Sequence, residues 1–214
     1  MTDNTTIILH GFWRSTASWR VRIALEWKGL GWSNVPHHLR LGEQRAPEYL
    51  ALNPQGFVPA LEIGGDVLTQ SLAICEFLDE THAQPPLLPK DAVARAKVRA
   101  AAQVIACDTH PLQNLKVLKM LKKLGLDQAA TDGWAAEVIE GGLEVFASLI
   151  AGNDGPYCFG ENVTLADVLL VPQLGNARRF GARFDFGRIV EVEAACMKLP
   201  AFIAAAPENQ PDAE

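Results

Sequence analysis

Apolar and polar positions change rhythm several times along the chain, and each change predicts an element. Ile7, Ile8 and Leu9 form a short apolar run suited to a buried strand, and residues 10–18 (HGFWRSTAS) interrupt it with glycine, arginine and three hydroxyl side chains. From Trp19 the period turns helical: Val21, Ala24, Leu25 and Lys28 lie on one side, Ile23 and Trp27 beside them, and Gly29 stands where a helix would stop. Residues 32–39 mix β-favouring positions with Pro36, which predicts a strand at a sheet edge. A polar loop over 40–45 and a helical turn over 47–52 follow. Val58-Pro59 then leads into a strand over 60–63, Gly64-Gly65 supplies a two-residue turn, and 67–69 form the return strand. Leu72, Cys75, Leu78 and Asp79 recur at helical spacing and predict a helix running to His82.

This order of strand, helix, strand, helix, hairpin and helix predicts a thioredoxin-like α/β domain over 1–82. Residues 83–89 (AQPPLLP) are too proline-dense to continue a helix and mark a linker. Little β signal follows, so 90–214 reads as an all-helical domain. Its first helix is expected over 91–106, and Pro111 should kink or break what continues from it. Gly125 ends the next piece, residues 134–150 give another amphipathic helix, and a last helix runs to Ala206. Thr164 and Asp167 have capping-box spacing, with Thr164 as the N-cap and Asp167 in a structural role.

The loop before the first helix puts Ser15, Thr16 and Ser18 at a helix N-terminus, where unpaired N–H groups and the helix dipole favour an anion. A thiolate is one such anion, because hydroxyl donors and a dipole lower a thiol's pKa. The same serines suit plain helix capping, and the residues alone leave both readings open. Ser71 is a second N-cap candidate; its helix start could accept a carboxylate, and Gln70 offers a donor and an acceptor to an amino-acid head group. A cis bond at Val58-Pro59 would present the Val58 backbone as a peptide-binding edge, although trans is the ordinary isomer. His110 and Asn114, around the Pro111 break, suit either capping or ligand binding.

Composition narrows the classes. A chain of 214 residues, 49% hydrophobic and 21% charged, can bury one good core or two small ones. Its net charge of -6 comes with no basic cluster: Lys116, Lys119, Lys122 and Lys123 are spread as a solvated face, so nucleic acid is not an expected partner. Residues 1–9 lack the pattern of a signal peptide and no apolar run approaches membrane-spanning length, so a cytoplasmic location without a membrane partner is expected. Cys75, Cys107, Cys158 and Cys196 are scattered without a C-x-x-C pair, which argues against zinc, and no metal is expected.

Residues 14–30 (RSTASWRVRIALEWKGL) resemble the glutathione-binding opening of the zeta class of glutathione transferases, whose best-known members are maleylacetoacetate isomerases. The family pattern is Ser-Ser-Cys-Ser or a close variant before an aromatic and Arg-Val-Arg-Ile-Ala-Leu. Ser15 falls on its catalytic serine, whereas Ala17 stands where cysteine is usual, so no protein thiol lies in this loop. The tail, PENQPDAE, is similar to the family's Pro-x-x-Gln-Pro-Asp ending, and the resemblance covers nearly the whole chain.

The resemblance implies glutathione as cofactor, bound by Ser15, Thr16, Ala17, Ser18, Gln44, Val58, Gln70, Ser71, His110 and Asn114, with Gln70-Ser71 on the γ-glutamyl end. It implies catalytic roles for Ser15, Thr16 and Arg179, substrate contacts from Arg14, Lys116 and Arg179, a cis Val58-Pro59 bond and a homodimer. The implied reaction is the isomerisation of maleylacetoacetate to fumarylacetoacetate in tyrosine and phenylalanine catabolism. Residues 12–15 (FWRS) and 177–180 (ARRF) also resemble maleylpyruvate isomerase, while Leu115-Lys116 departs from an arginine-rich segment of that enzyme. A general glutathione transferase conjugating electrophiles, and a non-enzymatic interaction protein of this architecture, are the other classes.

Overall fold

A computed structural model describes residues 6–214. They group into two compact units, one formed by the segment ending at Pro86 together with Leu199–Glu214, the other by Leu87–Lys198.

In the first unit, strand β1 (Ile7–Gly11) leads to helix α1 (Thr16–Trp27), strand β2 (Ser33–Pro36), short helix α2 (Pro47–Leu52), strands β3 (Ala60–Ile63) and β4 (Asp66–Thr69), and helix α3 (Ser71–Thr81). The sheet order is β2-β1-β3-β4, with β1 parallel to β2 and the other pairs antiparallel. Strand β2 lies at the edge, where its proline leaves no ladder donor missing from a central strand. Leu9 faces Leu61 across the β1–β3 pair and both are fully buried. Gly64 and Gly65 turn the hairpin with φ of 62° and 91°, a double left-handed turn that side-chain-bearing residues resist. Helix α1 buries Val21, Ile23, Ala24 and Leu25, and with them the guanidinium groups of Arg20 and Arg22.

The second unit is helical: α4 (Ala92–Gln103), α5 (Leu115–Lys123), α6 (Gln128–Ile150), α7 (Leu165–Phe180) and α8 (Ile189–Cys196). The helix expected over 91–106 ends at Gln103, and the chain continues through π-helical turns at Val104–Thr109 and a 3-10 turn at His110–Gln113. The winding therefore changes before Pro111. Thr109 donates its hydroxyl to the Val104 carbonyl at 2.8 Å, and it packs so near α6 that a Cβ on Gly142 would lie 2.0 Å from its Oγ1. Helix α6 begins six residues earlier than its apolar pattern predicts, because Asp127 accepts the Ala130 N–H at 2.8 Å and caps it. Asp167 is structural, as expected: fully buried, it accepts the Thr164 N–H (2.7 Å), the Thr164 hydroxyl (2.8 Å) and the Cys158 N–H (2.8 Å). Burial raises its pKa while these hydrogen bonds oppose the shift.

Helix α9 (Pro200–Ala205) and the tail return to the first unit, where Phe202 and Ala205 are fully buried. Among the described residues no helix is long and apolar enough to cross a membrane, and no group of three or more His, Cys, Asp and Glu side chains could hold a metal ion.

Candidate functional site

Strand β1 delivers the chain into a tight turn in which the Ser15 N–H donates to the Phe12 carbonyl at 2.9 Å, and Ser15 becomes the N-cap of α1. Its Oγ accepts the Ser18 N–H at 3.2 Å, while the buried Ser18 Oγ accepts the Phe12 N–H at 3.4 Å. Capping uses an oxygen lone pair and leaves the hydroxyl proton available to another acceptor. For Ser15 the two readings left open by the sequence are therefore compatible: it caps the helix and can still donate to an anion there.

Thr16 is buried, and its Oγ1 has no hydrogen-bond partner among the described residues. The same holds for Nε of Arg14, whose guanidinium lies 5.3 Å from the centre of the Trp13 ring. Burial first, and the charge of Arg40 second, lower the pKa of Arg14. Ala17 is buried in the same turn and brings no functional group.

At α3 the N-cap is Gln70 rather than Ser71. Ser71 already has helical geometry as the first residue of α3, and its Oγ accepts from Arg20 Nη1 at 3.3 Å. Gln70, with φ 70° and ψ 111°, is the one residue other than glycine with positive φ among those described, and it makes no side-chain cap. Such a conformation costs about 1–3 kcal/mol in a residue carrying a Cβ. It leaves the first N–H groups of α3 uncapped by a side chain, the arrangement that receives carboxylates. The Gln70 side chain is exposed and donates to Gln55 Oε1 at 2.8 Å.

Val58-Pro59 is cis, as is Gln84-Pro85. Val58 is buried, yet its backbone enters no hydrogen bond among the described residues. Gln44, on a 3-10 turn, is buried with its Oε1 unpartnered among them. Two helix N-termini, an open backbone edge and the Arg14, Thr16 and Gln44 atoms unpartnered among the described residues thus occur in one unit. They match the needs of glutathione, an extended peptide with a thiolate, a backbone to pair and a carboxylate-bearing head group.

The second unit contains the remaining candidates. His110 opens the 3-10 turn and is half-buried, and Asn114 caps α5 by accepting the Lys116 N–H at 3.0 Å. Lys116 is exposed. On α7 the adjacent arginines differ. Arg178 pairs with Glu193 (Nη1 to Oε1, 2.6 Å), a hydrogen bond that raises its pKa, whereas the exposed Arg179 has its guanidinium 5.0 Å from the Phe180 ring centre. Two features escaped the sequence reading: the wholly buried Gln173, whose amide atoms are unpartnered among the described residues, and Asp212 of the tail, which accepts the Trp13 N–H at 3.0 Å. The Gln-Pro-Asp ending was the only signal for the latter.

A mixed sheet with a cis proline ahead of β3, and a separate helical unit, define the glutathione transferase class of folds. The family model for the glutathione S-transferase N-terminal domain matches residues 9–86. Maleylacetoacetate isomerase of Pseudomonas aeruginosa is 47% identical over 208 residues, covering 95% of this chain and 97% of that protein. The holo structure of maleyl pyruvate isomerase, a bacterial zeta-class enzyme, matches with a TM-score of 0.94 and 44% identity over 97% of this chain and 100% of that one. Maleylacetoacetate isomerase from Anaeromyxobacter dehalogenans, crystallised with glutathione in its active site, matches at 0.89 and 40% identity over 98% and 99% of the two chains. The chain belongs to the zeta-class glutathione transferase family of maleylacetoacetate and maleylpyruvate isomerases.

Proposed function

We propose that the chain is a glutathione-dependent isomerase that converts maleylacetoacetate to fumarylacetoacetate in tyrosine and phenylalanine catabolism. The observation that carries this reading is Ser15 at the N-cap of α1, with its hydroxyl proton free to donate. Bound glutathione supplies a thiolate that adds reversibly to the conjugated double bond, permits rotation there and is released.

The chain's own residues then have two tasks. Ser15, Thr16 and the N–H groups at the start of α1 keep the sulfur ionised by donating to it, with Ala17 and Ser18 shaping that turn. Val58 pairs with the peptide backbone, Gln70, Ser71 and the start of α3 take the γ-glutamyl head group, and Gln44, His110 and Asn114 complete the binding set. Arg14, Lys116 and Arg179 bind the acid and keto groups of the substrate, Arg179 holding its α-keto-acid part. None of these steps asks a side chain to carry a proton away. That suits a set of residues without a histidine–carboxylate pair in a catalytic role.

The likeness to maleyl pyruvate isomerase supports a second reading, in which the same residues act on the shorter maleylpyruvate. Isomerisation of the two substrates, measured side by side with and without glutathione, tests both. Faster turnover of maleylacetoacetate, strongly reduced in Ser15→Ala, is expected; preference for maleylpyruvate would change the substrate and keep the chemistry. Glutathione binding without isomerisation of either would replace the isomerase by a conjugating transferase. A cytoplasmic homodimer, and a division into a glutathione-binding domain (1–82), linker (83–89) and helical substrate domain from 90 onward, corrected in that Leu199–Glu214 group with the first unit, belong to the same proposal. Sedimentation of the purified protein tests the dimer.

A further inference from the structure

Both polar atoms of the peptide unit joining Phe12 to Trp13 are held. Its carbonyl accepts the Ser15 N–H at 2.9 Å, and its N–H donates to Asp212 Oδ2 at 3.0 Å. Rotating that peptide plane would break both bonds, so the group that fixes the N–H also fixes where Ser15 begins α1. The other oxygen of Asp212 accepts Asn34 Nδ2 at 3.2 Å, which ties the carboxylate to β2. The next carbonyl, that of Trp13, accepts Arg22 Nη2 at 2.9 Å, and Arg22 Nε donates to the Ala205 carbonyl at 2.9 Å.

The tail is itself anchored. Gln210 Nε2 donates to the carbonyls of Ala204 and Ala206, each at 2.9 Å, and Glu214 pairs with His38 Nε2 at 2.7 Å. Arg22 is 2% exposed, and its buried cation is stabilised by the charges of Asp212 and Glu208 against a desolvation that lowers its pKa to about 10. The chain's last residues thus clasp the turn ahead of α1 on its N–H side while Arg22 clasps it on its carbonyl side. A charge-assisted bond to a backbone N–H is among the stronger and more directional contacts available to such a turn.

We propose that Asp212 is a positioning residue for the glutathione thiolate: through the Phe12–Trp13 peptide it holds the Ser15 hydroxyl and the first N–H groups of α1 in the orientation that keeps the sulfur ionised. This rests on the glutathione-dependent reading above. Asp212 does not touch the reacting atoms, and its own negative charge works against a nearby anion. Removing the charge alone would lower the thiol pKa; loosening the turn raises it. The sign of the shift separates the two effects.

The test uses the full chain and the Asp212→Ala and Asp212→Asn variants, with thermal unfolding to establish that each is folded. The pKa of the bound glutathione thiol is read from thiolate absorbance against pH, alongside kcat and KM. In Asp212→Ala the thiol pKa should rise by about one unit, so that kcat falls roughly tenfold at pH below both thiol pKa values, less near neutral pH, and recovers as pH is raised. The KM for glutathione should change less than about twofold, since Val58 and Gln70 are untouched. Asp212→Asn keeps one oxygen where two acceptors are needed, and its shift should have the same sign and smaller size. A thiol pKa unchanged or lowered in the folded variants, with the wild type ionising its bound glutathione normally, would overturn the positioning role and leave the proposed activity standing. A wild type that binds glutathione without ionising it would overturn both.

Discussion

Two helix starts of the first unit, those of α1 and α3, follow strands of the same sheet but are finished in opposite ways. At α1 the N-cap residue has ordinary extended geometry and closes the end locally, Ser15 taking the Ser18 N–H. At α3 the N-cap residue has positive φ, contributes no side-chain cap, and leaves the end open. One terminus is built for precision around a single donor proton, the other for access. A thiolate needs the first arrangement, because its ionisation depends on the placement of one or two donors. A carboxylate already ionised at neutral pH needs only the second.

The comparison breaks most visibly at Ser15. Ser15→Ala removes the cap and the donor together, and by analogy with loss of a single preorganised donor it should lower kcat about 10²–10³-fold. KM for glutathione should move far less, and the bound thiol pKa should rise. An unchanged kcat would show that the N–H groups of α1 suffice without the hydroxyl. Stability should fall by about 1 kcal/mol for the lost cap, measurable by urea unfolding.

Gln70 tests the open terminus, and here binding and stability should part. Gln70→Gly removes the head-group contacts and relieves the positive φ, so KM for glutathione should rise roughly tenfold while the protein gains about 1 kcal/mol of stability. Gln70→Ala should raise KM similarly without the gain in stability. If glycine is no more stable than alanine at this position, the backbone there is unstrained. Ser71→Ala, which removes one acceptor for Arg20 Nη1, should cost about 1 kcal/mol and raise KM only a few-fold.

How much of this was readable in the chain beforehand differs between the two termini for the same physical reason. Ser15 and the hairpin around Gly64-Gly65 are governed by local rules, hydroxyls favouring N-caps and glycine favouring left-handed turns, so the sequence carries them directly. The uncapped start of α3 depends on a glutamine held at positive φ by its surroundings, and no local preference announces that, which is why Ser71 reads as a cap. The buried arginines are harder still. A 3.6-residue period assigns Arg20 and Arg22 beside an apolar face, but only the return of α9 and the tail shows what satisfies Arg22. The π-helical turns before Pro111 depend likewise on close packing between Thr109 and Gly142, a contact over more than thirty residues of sequence.

The smallest expected effect separates the strands that feed the two helices. Behind α1, the buried His10 hydrogen-bonds His37 (2.9 Å) through Nδ1 and Glu62 (2.5 Å) through Nε2, and His37 lies 4.3 Å from the Tyr49 ring. Behind α3, β4 (Asp66–Thr69) carries no histidine. Burial, and next the neighbouring His10, lower the pKa of His37 from its ordinary 6.5. The unfolded chain therefore binds the proton more readily than the folded one, so this group favours the fold above its unfolded pKa. That contribution is lost as pH falls from about 6.5 toward the lower folded value. The melting temperature should thus decline on acidification from about pH 7 to about pH 5, and His37→Gln, which keeps a hydrogen-bonding group without the titration, should decline less. Equal declines in the two proteins would assign the acid sensitivity to other groups and make the supports of the two helices alike in their response to pH.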